Sequence, residues 1–103
     1  MQEVRQAVAE MVCRRPEIQR VLLFGSLAVG TPVPGSDADL LIILKHSDLR
    51  FPDRIPDYIP WGCSVGVDVF PYTEAELESM LGDGNFFIRR ALDKGIEIFA
   101  RET

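Results

Sequence analysis

The sequence predicts a single small α/β domain spanning residues 1–103. Helical periodicity and short apolar runs of strand length alternate along the chain. Gly and Pro bound those runs and keep them short. Hydrophobic residues make up 47% of the chain, enough for one core.

Val4, Ala7, Val8, Met11 and Val12 recur at i, i+3, i+4 and predict an amphipathic helix that Pro16 stops. Arg20 to Phe24 (RVLLF) reads as a buried strand ended by Gly25, and Ser26 to Gly30 as the first turns of a short helix. Thr31 to Ser36, with two prolines and a glycine, is a loop. The run DADLLIIL predicts a strand buried on both faces, because its apolar residues are continuous rather than alternating.

Residues 45–64 mix three prolines and several charges with Phe51, Ile55, Tyr58, Ile59 and Trp61. Three readings stay open for them: an irregular lid, a partner-binding segment or a short helix. Val65 to Phe70 (VGVDVF) is a strand that Pro71 ends. Thr73 and Glu76 form a capping box opening a helix over EAELESML. GDGN breaks it, FFIRRALDK makes another helix ended by Gly95, and IEIF is a last edge strand.

A formal net charge of −5 argues against binding a nucleic-acid backbone, which needs clustered Lys and Arg. The apolar runs are too short to span a bilayer, and the acidic N-terminus lacks the apolar stretch of a signal peptide. The chain therefore reads as cytoplasmic. Cys13, Cys63 and the single His46 show no zinc-ligand spacing, and Cys13 reads as a small buried hydrophobe. A domain this small has a modest stability margin, so a homo- or hetero-oligomer is in keeping with its size.

Three carboxylates point to chemistry. Strand residues i and i+2 share a face, so Asp37 and Asp39 project together at the start of a hydrophobic strand. Asp68 stands inside an apolar strand, costly unless its charge is satisfied. If the two strands are neighbours, the three converge, and a divalent cation resolves their repulsion; hard oxygen ligands suit Mg²⁺. On the other side, Gly25 and Ser26 follow a strand and open a helix, whose exposed N–H groups and hydroxyl favour an anion. Taken singly, each has a structural reading: Asp37 closing a turn, Asp68 paired with Arg20. In this order they read as a phosphate cradle beside a metal site.

Gly25-Ser26, ten residues, then Asp37-Ala38-Asp39 make the Gly-Ser-x10-Asp-x-Asp signature. On it the chain resembles the DNA polymerase β-like nucleotidyltransferase superfamily, and within that the minimal, MNT-type proteins. Gly30-Thr31, Pro34, Ser36-Asp37, the VDVF run and the ending ALDKGIEIF fit that group. The similarity covers about four-fifths of the chain and fails over residues 45–64.

The resemblance implies a mixed sheet flanked by helices. It implies transfer of a nucleoside monophosphate, such as AMP from ATP, to a hydroxyl. Asp37, Asp39 and Asp68 would be catalytic and bind two Mg²⁺ ions, and Gly25, Ser26 and Ser36 would hold the nucleotide. It also implies a helical HEPN-domain partner, in some pairs a toxin modified by its antitoxin. One departure stands out: Leu27 and Val29 occupy positions where relatives often carry arginines. Lys45, Arg50, Arg54, Arg89-Arg90 or a partner are candidates to restore that charge. The alternative reading is a weak or inactive subunit that binds and masks a partner. Trp61, Tyr58 and Phe51 are candidates to stack on a base, against a more ordinary packing role.

Overall fold

A computed structural model describes residues 2–24, 38–59 and 67–101. Helix α1 (Gln2–Arg14) leads into strand β1 (Ile18–Phe24). Strand β2 (Ala38–Leu44) is followed by the short helix α2 (Phe51–Arg54) and a 3-10 turn (Ile55–Tyr58). Strand β3 (Val67–Thr73), helices α3 (Glu74–Gly82) and α4 (Phe86–Lys94), and strand β4 (Ile96–Ala100) complete the described elements.

The four strands form one mixed sheet in the order β3-β2-β1-β4. β1 pairs antiparallel with β2 and β4, whereas β2 and β3 run parallel. The central β2 is closed to water from Leu40 to Leu44, with Leu40, Leu41, Ile42 and Leu44 fully buried. Its alternate residues serve two cores. Leu40, Ile42 and Leu44 join Val21, Leu23 and Val69 under Val4, Val8, Met11 and Val12 of α1. Leu41 and Ile43 join Leu22 under Leu77 of α3 and Ile88 and Ala91 of α4. The chain is thus helix on sheet on helices, an α+β form of the predicted class. β4 lies at the sheet edge, as its position in the sequence suggested.

Local rules account for the helix ends. The Thr73 hydroxyl accepts from the Glu76 N–H, and the Glu76 carboxylate accepts from the Thr73 N–H, completing the expected capping box. The Asn85 side chain caps α4 through the Ile88 N–H. Gly84, with φ of 79°, makes the turn between the two helices. Gly95 ends α4 differently from a left-handed cap: its φ is −69°, in extended backbone. What it supplies is room, because a Cβ there would meet the Ala91 carbonyl oxygen at 2.4 Å and the Leu23 carbonyl oxygen at 3.3 Å.

Expectations change at Pro71 and Cys13: β3 continues through Pro71 to Thr73 instead of ending before it. Cys13 is exposed, not buried. At 100° per residue it falls opposite Val4 on α1, off the stripe that α1 buries. Part of residues 45–64 is ordered as a helical turn, and it docks through polar groups. Arg54 is 4% exposed. Its guanidinium donates to both carboxylate oxygens of Glu76, at 2.6 and 3.1 Å, and to the Leu49 and Pro71 carbonyls. The pair holds the Glu76 carboxyl below its ordinary range, chiefly through that hydrogen bond. Tyr58 is also buried, and its hydroxyl donates to Glu17 at 2.5 Å.

Candidate functional site

The site begins with the sheet register. Phe24 is the last residue of β1, and its register partner on β2 is Asp39. Asp39 in turn is the register partner of Asp68 on β3. These three residues form a row across one end of the sheet. They share a face, because Asp39 alternates with Leu41 and Ile43, and Asp68 with Phe70 and Tyr72, on the side of α3 and α4.

Neighbouring strands lie about 4.8 Å apart, so the row brings two carboxylates side by side. Asp39 is half-buried and Asp68 exposed. Two such charges repel by about 1–3 kcal/mol, depending on how well water screens them. Two hard-oxygen donors on adjacent rigid strands fit one side of a divalent cation's shell. Among the described residues no group of three or more His, Cys, Asp or Glu is gathered for a metal. Asp37, the third expected ligand, lies outside the described residues, as do Gly25, Ser26, Ser36, Leu27, Val29 and Trp61.

Next to this row is an aromatic cluster that sequence reading missed. The Phe24 and Phe70 rings meet at 5.8 Å between centroids. Phe87, from the first turn of α4, contacts both at 5.4 Å in steeply inclined geometry. Because β2 runs between β1 and β3, the Phe24–Phe70 contact bridges over it, beside Asp39. Two signals were present in the sequence: Phe24 directly precedes Gly25, and Phe70 shares the parity of Asp68.

Most of the candidate cations are placed elsewhere. Lys45 and His46 follow the far end of β2, about 20 Å from Asp39 at strand rise. Arg54 is occupied by Glu76, and Arg50 pairs with Asp53 at 3.4 Å. Arg89 and Arg90 are exposed on α4. Arg20 pairs with Glu97 of β4 at 2.7 Å, which removes the structural ion pair considered for Asp68. Of the candidate stacking residues, Phe51 lies flat on Tyr72 at 4.6 Å, and Tyr58 is in the core. Two concavities of about 370 and 580 Å³ share Arg15 and Asp57 in their walls, at the end of the sheet away from the carboxylates.

The described residues form a mixed sheet between helices that carries paired aspartates at the end of the sheet where β1 finishes. The chain belongs to the nucleotidyltransferase domain family, whose model matches residues 4–98. Its fold is similar to a crystal structure of a Sulfolobus solfataricus protein classed by inference as a nucleotidyltransferase. That similarity has a TM-score of 0.70 at 22% identity, over 99% of this chain and 81% of the other. No curated protein matches the chain. Among the described residues no helix is long and apolar enough to cross a membrane.

Proposed function

We propose that this protein is a Mg²⁺-dependent nucleotidyltransferase that moves AMP from ATP to a hydroxyl carried by another macromolecule. The observation that carries the reading is the pairing of Asp39 with Asp68 on one face, at the sheet end where Gly25 and Ser26 follow β1. Asp39 and Asp68, with Asp37, are the residues that would hold the metal. A Mg²⁺ ion held by these residues would supply neutralising charge for the triphosphate and for the departing pyrophosphate. Gly25 and Ser26 offer N–H and hydroxyl donors to the phosphates, with Ser36 beside Asp37. The acceptor oxygen bonds to the α-phosphorus, and the bond from that phosphorus to its bridging oxygen breaks. Pyrophosphate leaves with the electron pair. Asp68, the more exposed of the two described carboxylates, takes the hydroxyl proton.

The acceptor we favour is a tyrosine hydroxyl of a helical HEPN-type protein, this chain acting as the antitoxin. The likeness to the minimal nucleotidyltransferases is what supports an acceptor brought by a second chain. Co-expression with such a partner tests this by intact mass: the partner gains one nucleoside monophosphate, and Asp39→Asn abolishes the gain. An unmodified partner, or equal modification by the variant, overturns it.

A second reading, a subunit that masks its partner without transfer, is favoured by one observation. Lys45, Arg50 and Arg54 are remote or already paired, so they do not replace the arginines absent at 27 and 29. Calorimetry separates the two: tight partner binding with no binding of Mg²⁺ and ATP, alone or in the complex, supports the mask.

A further inference from the structure

The aromatic cluster beside the carboxylates has a feature that core packing does not require. Phe87 is held in place by Phe24 and Phe70, yet 47% of it remains exposed. Its orientation is therefore set before any ligand arrives, while nearly half of its surface faces outward. Its position is equally specific. It touches Phe24, the register partner of Asp39, and Phe70, two residues beyond Asp68 on the same face. Adding one ring contact to one strand spacing, or to two residues of strand rise, puts the ring on the order of 10–15 Å from both aspartates. A single nucleotide can have its phosphates at the aspartates and its base at the ring.

We propose that Phe87, backed by Phe24 and Phe70, is the platform on which the base of the donor nucleotide stacks. This rests on the nucleotidyltransferase reading and adds a base-contacting residue to it. Stacking on a pre-oriented ring suits a planar base of any identity, because every base has a π-face. It also suits a cradle that is neutral at Leu27 and Val29: binding energy taken from the base lessens the demand on positive charge at the phosphates. The other occupant to weigh is an acceptor protein, for which Phe86, 85% exposed, and the exposed Arg89 and Arg90 are the more prominent groups.

The test is calorimetry on the full chain with Mg²⁺·ATP and, separately, with Mg²⁺·tripolyphosphate, which has the phosphates and no base. The wild type should bind ATP about 10-fold or more tightly than tripolyphosphate. Phe87→Leu, which keeps an apolar side chain without a π-face, should remove that margin and leave tripolyphosphate affinity unchanged. Phe87→Tyr should retain it, and Phe86→Ala should change neither affinity. If Phe87→Leu weakens both ligands equally, the residue is structural and the platform is wrong. If the margin survives Phe87→Leu, or disappears in Phe86→Ala, the base lies elsewhere. If Asp39→Asn binds both ligands as the wild type does, the nucleotide site itself is misplaced, a failure distinct from the loss of the platform alone.

Discussion

Asp39 and Asp68 are direct partners in the parallel register of β2 and β3, so two like charges are fixed on one face at one end of the sheet. The two backbones hold the Cα atoms of the pair in place, which leaves side-chain rotation and a bound cation as the ways to relieve its repulsion. Mg²⁺ should therefore raise the melting temperature of the wild type, since a ligand bound only by the native state stabilises it by mass action. Asp39→Asn and Asp68→Asn should fold, with unchanged far-UV circular dichroism, and lose most of that response and all nucleotide transfer. An equal Mg²⁺-dependent shift in both variants would show that the pair is not the metal site.

The Arg54–Glu76 pair, buried on the arginine side only, ties α2 to the start of α3. Glu76→Gln keeps the shape of the capping box and leaves a nearly buried guanidinium without its anion. Breaking a fully buried pair costs about 3–5 kcal/mol. Glu76 is 39% exposed, so screening reduces this to about 2 kcal/mol. Arg54 holds the Glu76 carboxyl below its ordinary value of 4.5. The contribution is present above that value and is lost as pH falls through the lower folded value. Urea unfolding should show the gap between wild type and variant at neutral pH, narrowing in acid below about pH 4.

Gly95→Ala should destabilise the protein by about 1–3 kcal/mol, as overpacking does. Its backbone angles admit alanine, so strain in φ contributes nothing. The cost is the collision of Cβ with the Ala91 carbonyl, which belongs to backbone and cannot rotate away. A melting temperature equal to that of the wild type would mean that the α4–β4 junction shifts freely.

Both tyrosines of the chain are raised above the ordinary value of 10, each mainly by burial, with Tyr58 further raised by its bond to Glu17. A raised folded value means stability that is complete below about pH 10 and lost as pH rises beyond it. Ultraviolet titration of the native protein should show little tyrosinate at pH 10, and unfolding in urea should release it. Tyr58→Phe should cost about 1 kcal/mol at neutral pH and flatten the alkaline loss of stability. A native tyrosine titrating near 10 with full amplitude for both rings would contradict the buried Tyr58.

Much of the fold was legible because its signals are local. The continuous apolar run of β2, the stripe on α1 and the Thr73–Glu76 box each lie within a few residues of sequence. Residues 51–58 were harder to read because prolines usually argue against helix. Here Pro52 and Pro56 each stand in the first turn of a short helical piece, where a missing N–H costs nothing. Arg54 was a candidate for phosphate binding because its charge is visible in sequence and its partner, 22 residues away, is not. Phe87 lies in a helix whose apolar residues suggest burial, and its half-exposure depends on where α4 lies across the sheet.

The sequence by itself determined which residues form strands, which faces they present, and that aspartates occupy two of those strands on a chain with the Gly-Ser-x10-Asp-x-Asp spacing. Periodicity is a property of one segment, and it sets faces without naming neighbours. Only the tertiary structure decided that β3 pairs parallel with β2 in the register that sets Asp68 beside Asp39. It also decided that Arg20 turns to Glu97, that Arg54 is consumed by Glu76, and that three phenylalanines from β1, β3 and α4 gather beside the carboxylates. Each of these is a contact between residues far apart in the chain, chosen when both faces of the sheet are buried at once.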